Sequence, residues 1–272
     1  MQEKNCQIVL VGHTSHKLIL SIDKEITHKL IFITEREPLP GTLEAKKILE
    51  ALNKYYMDRR IEVKNVMFDF HIQTKPIAEL IHLIYQQKLL NYENITINIS
   101  GGLRYMDIWF YIASSITNSR VIHGDFIYEK NEEVGIYSNM EMQTIPFQSL
   151  TDKQFEFLAL FFGEYNDYNQ FFDPELSFNE NLLLNQRITY QSLEELKSAM
   201  EKVRNETISR GSINGFIQKL STISALNVYP NPIDKKEKSI EISYFGIAYF
   251  LSSLFQKYLI NNRGSNIVQQ KS

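Results

Sequence analysis

Apolar residues in the first half of this chain alternate between two rhythms. Four short runs rich in β-branched residues, Gln7 to Val11, Leu30 to Thr34, Val63 to Phe68 and Ile95 to Ile99, read as buried strands. Each is followed by apolar positions three and four residues apart: Lys17 to Ile22, a helix opened by Thr42 as N-cap and running to about Tyr55, Pro76 to Gln86, and Met106 to Ser119. Strand followed by helix, four times over, predicts an α/β parallel sheet with right-handed crossovers. Val121 to Tyr128 and Val134 to Ser138 flank Lys130-Asn131-Glu132-Glu133, the pattern of a hairpin that closes the sheet with an antiparallel edge.

The rhythm changes after Gln143-Thr144-Ile145-Pro146-Phe147, which reads as a linker, so the expected domains are 1–145 and 146–272. Thr151 caps a helix from Asp152 to Phe162, and 164–187 is an aperiodic stretch rich in Asn, Asp and aromatics, read as an insertion or long connection. Leu193 to Val203 is helical, the pattern breaks near Thr207 to Ser209, and Ser212 is read as the cap of a helix from Ile213 to about Ala225. Helix, short turn, helix is a helix-turn-helix pattern. Its second helix puts Ile213, Phe216, Ile217, Leu220 and Ile223 on one stripe. That leaves Arg210, Ser212, Asn214, Gln218 and Lys219 outward, side chains able to reach base edges and phosphates. Val228 to Pro232 and Ile240 to Ile242 flank a tip carrying Lys235, Lys236 and Lys238, a hairpin resembling a wing, and Gly246 to Tyr258 closes the domain as a helix.

Candidate chemistry concentrates where strands end. In open α/β sheets ligands sit outside the carboxyl ends of the strands, where strand order reverses. That rule places Gly12, His13, Thr14 and Ser15, then Gly41 and Thr42, then Ser100, Gly101, Gly102, Leu103, Arg104, Tyr105 and Met106 on one rim. Glycines at such turns permit close backbone approach, and a following helix offers unpaired N–H groups to an anion. Arg104 would add a charged fork and Tyr105 a flat surface for a base. A strand-to-helix turn that binds nothing has the same spacing, and the sequence does not separate the two. There is no G-x-G-x-x-G after the first strand and no G-x-x-x-x-G-K-[ST], which argues against dinucleotide dehydrogenases and P-loop enzymes.

Composition narrows the field. The 272 residues are 43% hydrophobic and 22% charged, globular values. A single cysteine, Cys6, rules out an intramolecular disulfide and a cysteine-built zinc site, and fits a reducing, cytoplasmic setting. The amino-terminal apolar run is too short for a signal peptide and none approaches a membrane span, so no membrane partner is expected. The six histidines lie at or before His123 without metalloprotease spacing, and no metal or cofactor is expected. Residues 151–272 carry 13 basic and 14 acidic side chains, whereas 197–238 carry 8 and 4. Basic charge is thus concentrated where nucleic acid would meet the helix and wing.

Three segments carry a family resemblance: Val11-Gly12-His13-Thr14-Ser15, Pro40-Gly41-Thr42-Leu43-Glu44-Ala45, and Ile99-Ser100-Gly101-Gly102-Leu103-Arg104-Tyr105-Met106. Together with the second half they resemble the CARF (CRISPR-associated Rossmann fold) proteins, in particular archaeal CRISPR-associated transcriptional regulators with a C-terminal winged helix-turn-helix. The resemblance implies a Rossmann-like domain followed by a mainly α winged helix-turn-helix domain. It further implies a cytoplasmic homodimer that binds a cyclic oligoadenylate, usually cyclic tetra-adenylate, and double-stranded operator DNA upstream of CRISPR-associated genes in antiviral defence. Some members cleave their ligand; here Thr14, Ser15, Ser100 and Arg104 would position a ribose 2′-hydroxyl, and binding without turnover would use the same residues. The HEPN ribonuclease of other members needs Arg-x4-6-His, and no histidine follows His123. Glu195-Leu196-Lys197, the nearby match to a metal-nuclease motif, lies on a helical pattern and reads as surface charge. The insertion and the near-neutral second domain depart from the family pattern.

Overall fold

The computed structural model describes residues 3–37, 42–101, 104–130, 132–145, 147–163, 168–181, 184 and 187–269. Two compact units divide the chain, Met1–Phe147 and Gln148–Ser272.

The first unit is built on a six-stranded sheet. Its strands are β1 (Lys4–Leu10), β2 (Lys29–Glu35), β3 (Glu62–Phe68), β4 (Tyr92–Asn98), β5 (Arg120–Glu129) and β6 (Glu132–Met142). The order is β3-β2-β1-β4-β5-β6, with β1 to β5 parallel and β6 antiparallel to β5. This is a Rossmann-like α/β sheet. Its parallel strands alternate with α1 (Ser15–Ile22), α2 (Thr42–Met57), α3 (Lys75–Leu89) and α4 (Arg104–Thr117). From β1 the chain moves one way through β2 and β3, then returns to place β4 on the other flank of β1. The reversal lies between β1 and β4.

The pattern that predicts the strands also explains their place. Ile8, Val9 and Leu10 of β1 and Leu30, Ile31, Phe32 and Ile33 of β2 are fully buried, as a parallel strand covered on both faces requires. On one face Val9, Val11, Leu18, Ile22, Leu30, Phe32, Leu52 and Tyr56 form one core cluster. The Tyr56 hydroxyl donates to Asp23 Oδ1 at 3.0 Å, giving the ring's polar end a partner where α2 meets the end of α1. Thr42 is the first residue of α2 rather than the residue before it.

The second unit is mainly helical. Thr151 caps α5 (Asp152–Ala159) in a complete capping box with Gln154, and two 3₁₀ turns follow, Leu160–Phe162 and Tyr168–Phe172. Then come α6 (Leu193–Arg204), α7 (Arg210–Thr222), the antiparallel pair β7 (Leu226–Pro230) and β8 (Lys238–Ile242), and α8 (Tyr244–Gln269). The aperiodic stretch contributes to this unit's core: Phe171 is fully buried beside Phe162 and Phe250, and Phe172 stacks on Tyr258 at 3.8 Å. Its aromatics fill space against α8, which is why they show no helical period.

The α6–α7 turn also departs from the sequence reading. Asn205 ends α6 in the left-handed region at φ 52°, and Ser209, not Ser212, caps α7, its hydroxyl accepting from Ser212 N at 3.1 Å. Arg210 therefore opens the helix instead of preceding it. Among the described residues no helix is long and apolar enough to cross a membrane.

Candidate functional site

The loops after β1 and β4 meet at the strand-order reversal. A Cβ on Gly12 would collide with the carbonyl oxygen of Gly101, and one on Gly101 would fall 2.5 Å from Leu18 Cδ2. Close approach, not left-handed backbone, is what requires glycine at both positions. Gly12 is buried under this contact, whereas His13 and Thr14 are exposed and Ser15 is half-buried. Thr14 precedes α1 with extended backbone (φ −135°, ψ 104°) and makes no capping hydrogen bond. The first turn of α1 thus opens beside the Gly12–Gly101 contact without a side-chain cap, a suitable place for an anion.

On the β4 side, Arg104 is the first residue of α4, and its side chain lies outside the described residues, as does that of Thr42. Gly41, Gly102 and Leu103 lie outside them altogether. Tyr105 is 45% exposed; burial and the nearby Glu35 carboxylate push its phenol above the usual range. Two of the expected ligand-binding side chains are buried. Met106 is buried at 6% and belongs to the core beneath α4. Ser100 is buried too, and its hydroxyl faces inward, bonded to Ser21 Oγ at 2.8 Å and accepting from Gly124 N at 2.9 Å. Those bonds engage the Ser100 hydroxyl in a polar lining of the sheet that strand periodicity does not reveal.

The structure adds residues the rim reading missed. Glu35, at the end of β2, accepts from the backbone N–H groups of Arg36, Glu37 and Phe70, fastening the loop after β3 to the loop after β2. His71 lies 3.7 Å from Glu35 and 3.6 Å from Glu37. Asp69 pairs with Arg36 at 2.7 Å and with Lys75, whose Nζ is also 3.8 Å from Glu79. Burial raises the Asp69 carboxyl, but Lys75 and Arg36 outweigh it and hold the group below the usual range. Burial prevails at Glu79, opposed by Lys75, and raises its carboxyl to about 7. Asp107, in the first turn of α4, is raised by burial to about 7. The readable signal was an acid at or just after the end of an apolar strand, Glu35 and Asp69.

Charge along the rim is therefore uneven. Beyond β2 and β3 it carries the carboxyls of Glu35, Glu37, Asp69 and Glu79 with Arg36, His71 and Lys75 among them. At β1 and β4 it offers helix amino ends, whose unpaired N–H groups favour an anion, whereas the carboxylates beyond β2 and β3 favour hydrogen-bond donors. A cleft of about 590 Å³ lies at the opposite, amino-terminal edge of the sheet, lined by Asn5, Gln7, Glu25, Asn94 and Arg120 among others. Arg120 is already paired there with Glu25 and Glu141 at 2.7 and 2.8 Å. Among the described residues no three His, Cys, Asp or Glu gather as a metal site.

In the second unit Asn214, Gln218 and Lys219 are exposed on α7, and Gly215 faces open space. Ser212 is exposed with its hydroxyl 2.9 Å from that of Ser209, and Arg210 Nε lies 3.6 Å from Glu194. Lys235, Lys236 and Lys238 are exposed on or beside the turn joining β7 to β8. Glu195 Oε2 accepts from Gln191 N at 2.7 Å, supporting the start of α6.

No protein-family model matches the sequence, and no curated protein does. Solved structures resemble it at low identity. A type III CRISPR defence DNA nuclease activated by cyclic oligoadenylate is 9% identical with a TM-score of 0.38; the match covers 84% of this chain and 36% of that one. The chain thus spans about a third of that nuclease's length. Protein VC1899 from Vibrio cholerae is 11% identical over 97% of this chain and 68% of that one, with a TM-score of 0.35. Can2 from Sulfobacillus thermosulfidooxidans, solved with cyclic tetra-adenylate, is 11% identical over 98% and 68%, with a TM-score of 0.32.

Proposed function

We propose that this protein is a CARF-type sensor in which a cyclic oligoadenylate, cyclic tetra-adenylate in the first instance, binds the rim of the first unit and alters DNA binding by a winged helix-turn-helix in the second. The observation that carries the reading is the backbone contact of Gly12 with Gly101 at the β1–β4 reversal, beside the uncapped start of α1. Phosphates would meet the amino ends of α1 and α4 and Arg104, with Tyr105 exposed to stack on a base. Tyr105 and Ile108, 45% and 56% exposed, stand one turn apart on α4. Pairing two copies through that face would bring two rims together, which suits a cyclic ligand with internal symmetry. In the second unit the α6–α7 turn, the exposed Asn214, Gln218 and Lys219 and the hairpin lysines support DNA contact, with the dimer reading a palindrome.

The direct test is incubation of purified protein with cyclic tetra-adenylate, followed by separation of products. Bound, unchanged ligand supports the sensor; linear products make the protein a ring nuclease that positions the 2′-hydroxyl with Thr14, Ser15 and Arg104; absence of binding leaves a dimeric scaffold. Footprinting upstream of CRISPR-associated genes, with and without ligand, tests the DNA half.

A further inference from the structure

We propose that a buried hydrogen-bond chain from Ser100 through Ser21 to Asn139 transmits occupancy of the β4–α4 turn to the edge strand β6. The proposal rests on the rim as the ligand site and concerns how that site communicates.

Ser21 is fully buried on α1, and each polar atom around it has a definite partner. Its hydroxyl donates to Asn139 Oδ1 at 2.8 Å and accepts from Asn98 Nδ2 at 3.0 Å. A hydroxyl has one hydrogen, so the hydrogen in the 2.8 Å Ser21–Ser100 bond comes from Ser100. Ser100 Oγ in turn accepts from Gly124 N on β5, and its own N–H donates to Asn98 Oδ1 at 3.0 Å. Asn98 Nδ2 also donates to Gln7 Oε1 at 3.2 Å. Asn139 Nδ2 donates to Ser21 O at 2.9 Å and to Glu25 Oε1 at 3.1 Å, and Glu25 pairs with Arg120. The directions are fixed along the whole chain, and around Ser21, Asn98 and Ser100, all buried, the surroundings exclude the water that could replace a lost partner.

A rigid chain carries a signal only to an element able to move. β6 is an edge strand, bonded on one side alone, and its pairing with β5 is irregular at two places between the network and the β5–β6 turn. Asp125 pairs with Ser138 and Phe126 with Ile136, so Tyr137 is left over as a bulge and is 69% exposed; Val134 is left over in the same way. Gly124 and Asn139, the two residues that tie the network to β5 and β6, are a cross-strand pair just beside the Tyr137 bulge. A ligand that displaces the turn after Ser100 would pull on both members of that pair. The first unit ends five residues past Met142, so the responding strand is the last element of that unit along the sequence.

Hydrogen exchange of the full chain, with and without cyclic tetra-adenylate, tests this. In the parent, ligand is expected to slow exchange in 12–15 and 100–106 and to change it in 132–142. In Asn139→Ala the first response remains and the second is lost. Asn139 is only half-buried on an edge strand, so the variant keeps the fold, which a thermal melt verifies; Ser21→Ala is the second variant with the same expectation. A β6 response that persists in both variants overturns the relay, as does rim protection in the parent without any β6 response, although the rim reading then stands. No protection anywhere in the parent removes the rim reading and the relay with it.

Discussion

Gly12 and Gly101 hold each other in place: the carbonyl oxygen of Gly101 occupies the space where any side chain on Gly12 would begin. Gly12→Ala is therefore expected to force the β1 and β4 loops apart, costing about 1 to 3 kcal/mol, the range for overpacking a close contact. It should also abolish binding of cyclic tetra-adenylate. Urea denaturation and ligand titration read the two effects separately, and a variant that binds like the parent would move the ligand site elsewhere.

Arg104 opens α4 just past the paired glycines. Arg104→Ala is expected to weaken ligand binding by about 1.5 to 3 kcal/mol, as for a hydrogen bond to a charged group, with little effect on folding. Calorimetric titration of both proteins with cyclic tetra-adenylate decides it. Equal affinity would place the phosphates elsewhere.

Gly215 sits within α7 with nothing near its missing Cβ. Glycine in a helix interior is about 1 kcal/mol worse than alanine, so Gly215→Ala should raise stability by up to that amount. If α7 approaches DNA closely with this face, the same change should lower DNA affinity. A stabilised variant with undiminished DNA binding would mean that the Gly215 side of the helix faces away from the duplex.

The three hairpin lysines, Lys235, Lys236 and Lys238, can meet phosphates but not specify bases. Replacing all three should weaken binding to every sequence and flatten the salt dependence by about 0.9 log unit per lost phosphate contact, whereas Asn214→Ala or Gln218→Ala should relax specificity at one position. Binding measured over a salt series separates the two classes. An unchanged slope in the triple variant would exclude the hairpin from the interface.

Glu79 is the group to follow in a pH series. Its folded pKa of about 7 lies above the ordinary 4.5, so between these values the folded protein holds a proton that the unfolded chain has released. Stability from this group is full below about 4.5, falls as pH rises toward 7, and is flat beyond. Glu79→Gln should remove that slope. Denaturation midpoints of parent and variant from pH 4 to 8 test it, and parallel curves would show that Glu79 is ionised throughout.

The order of elements was legible along the chain. Runs such as Ile95-Thr96-Ile97 and Leu30-Ile31-Phe32-Ile33 must be buried, helical spacing follows each, and the glycines after β1 and β4 mark turns, because burial periodicity and backbone freedom are local properties. The same local logic predicted two helices separated by a short turn, as in α6 and α7, and the β7–β8 hairpin after them. It erred by three residues at the α7 cap, where Ser209 and Ser212 are both competent and only the backbone path selects between them.

What tertiary structure alone decided is which residues share a place. Gly12 and Gly101 are 89 residues apart, Ser21 and Asn139 are 118 apart, and nothing local in either member of a pair announces the other. Ser100 shows the consequence: its position beside two glycines points to the ligand, yet Ser21 and Gly124, brought in by α1 and β5, turn its hydroxyl into the core. Asp69 and Glu79 likewise shift in opposite directions, Asp69 downward through pairing with Lys75 and Arg36 and Glu79 upward through burial, because the fold brings α3 against the loop after β3. Contacts at long sequence separation depend on strand order, and strand order is set by the packing of the whole sheet, not by any one segment of it.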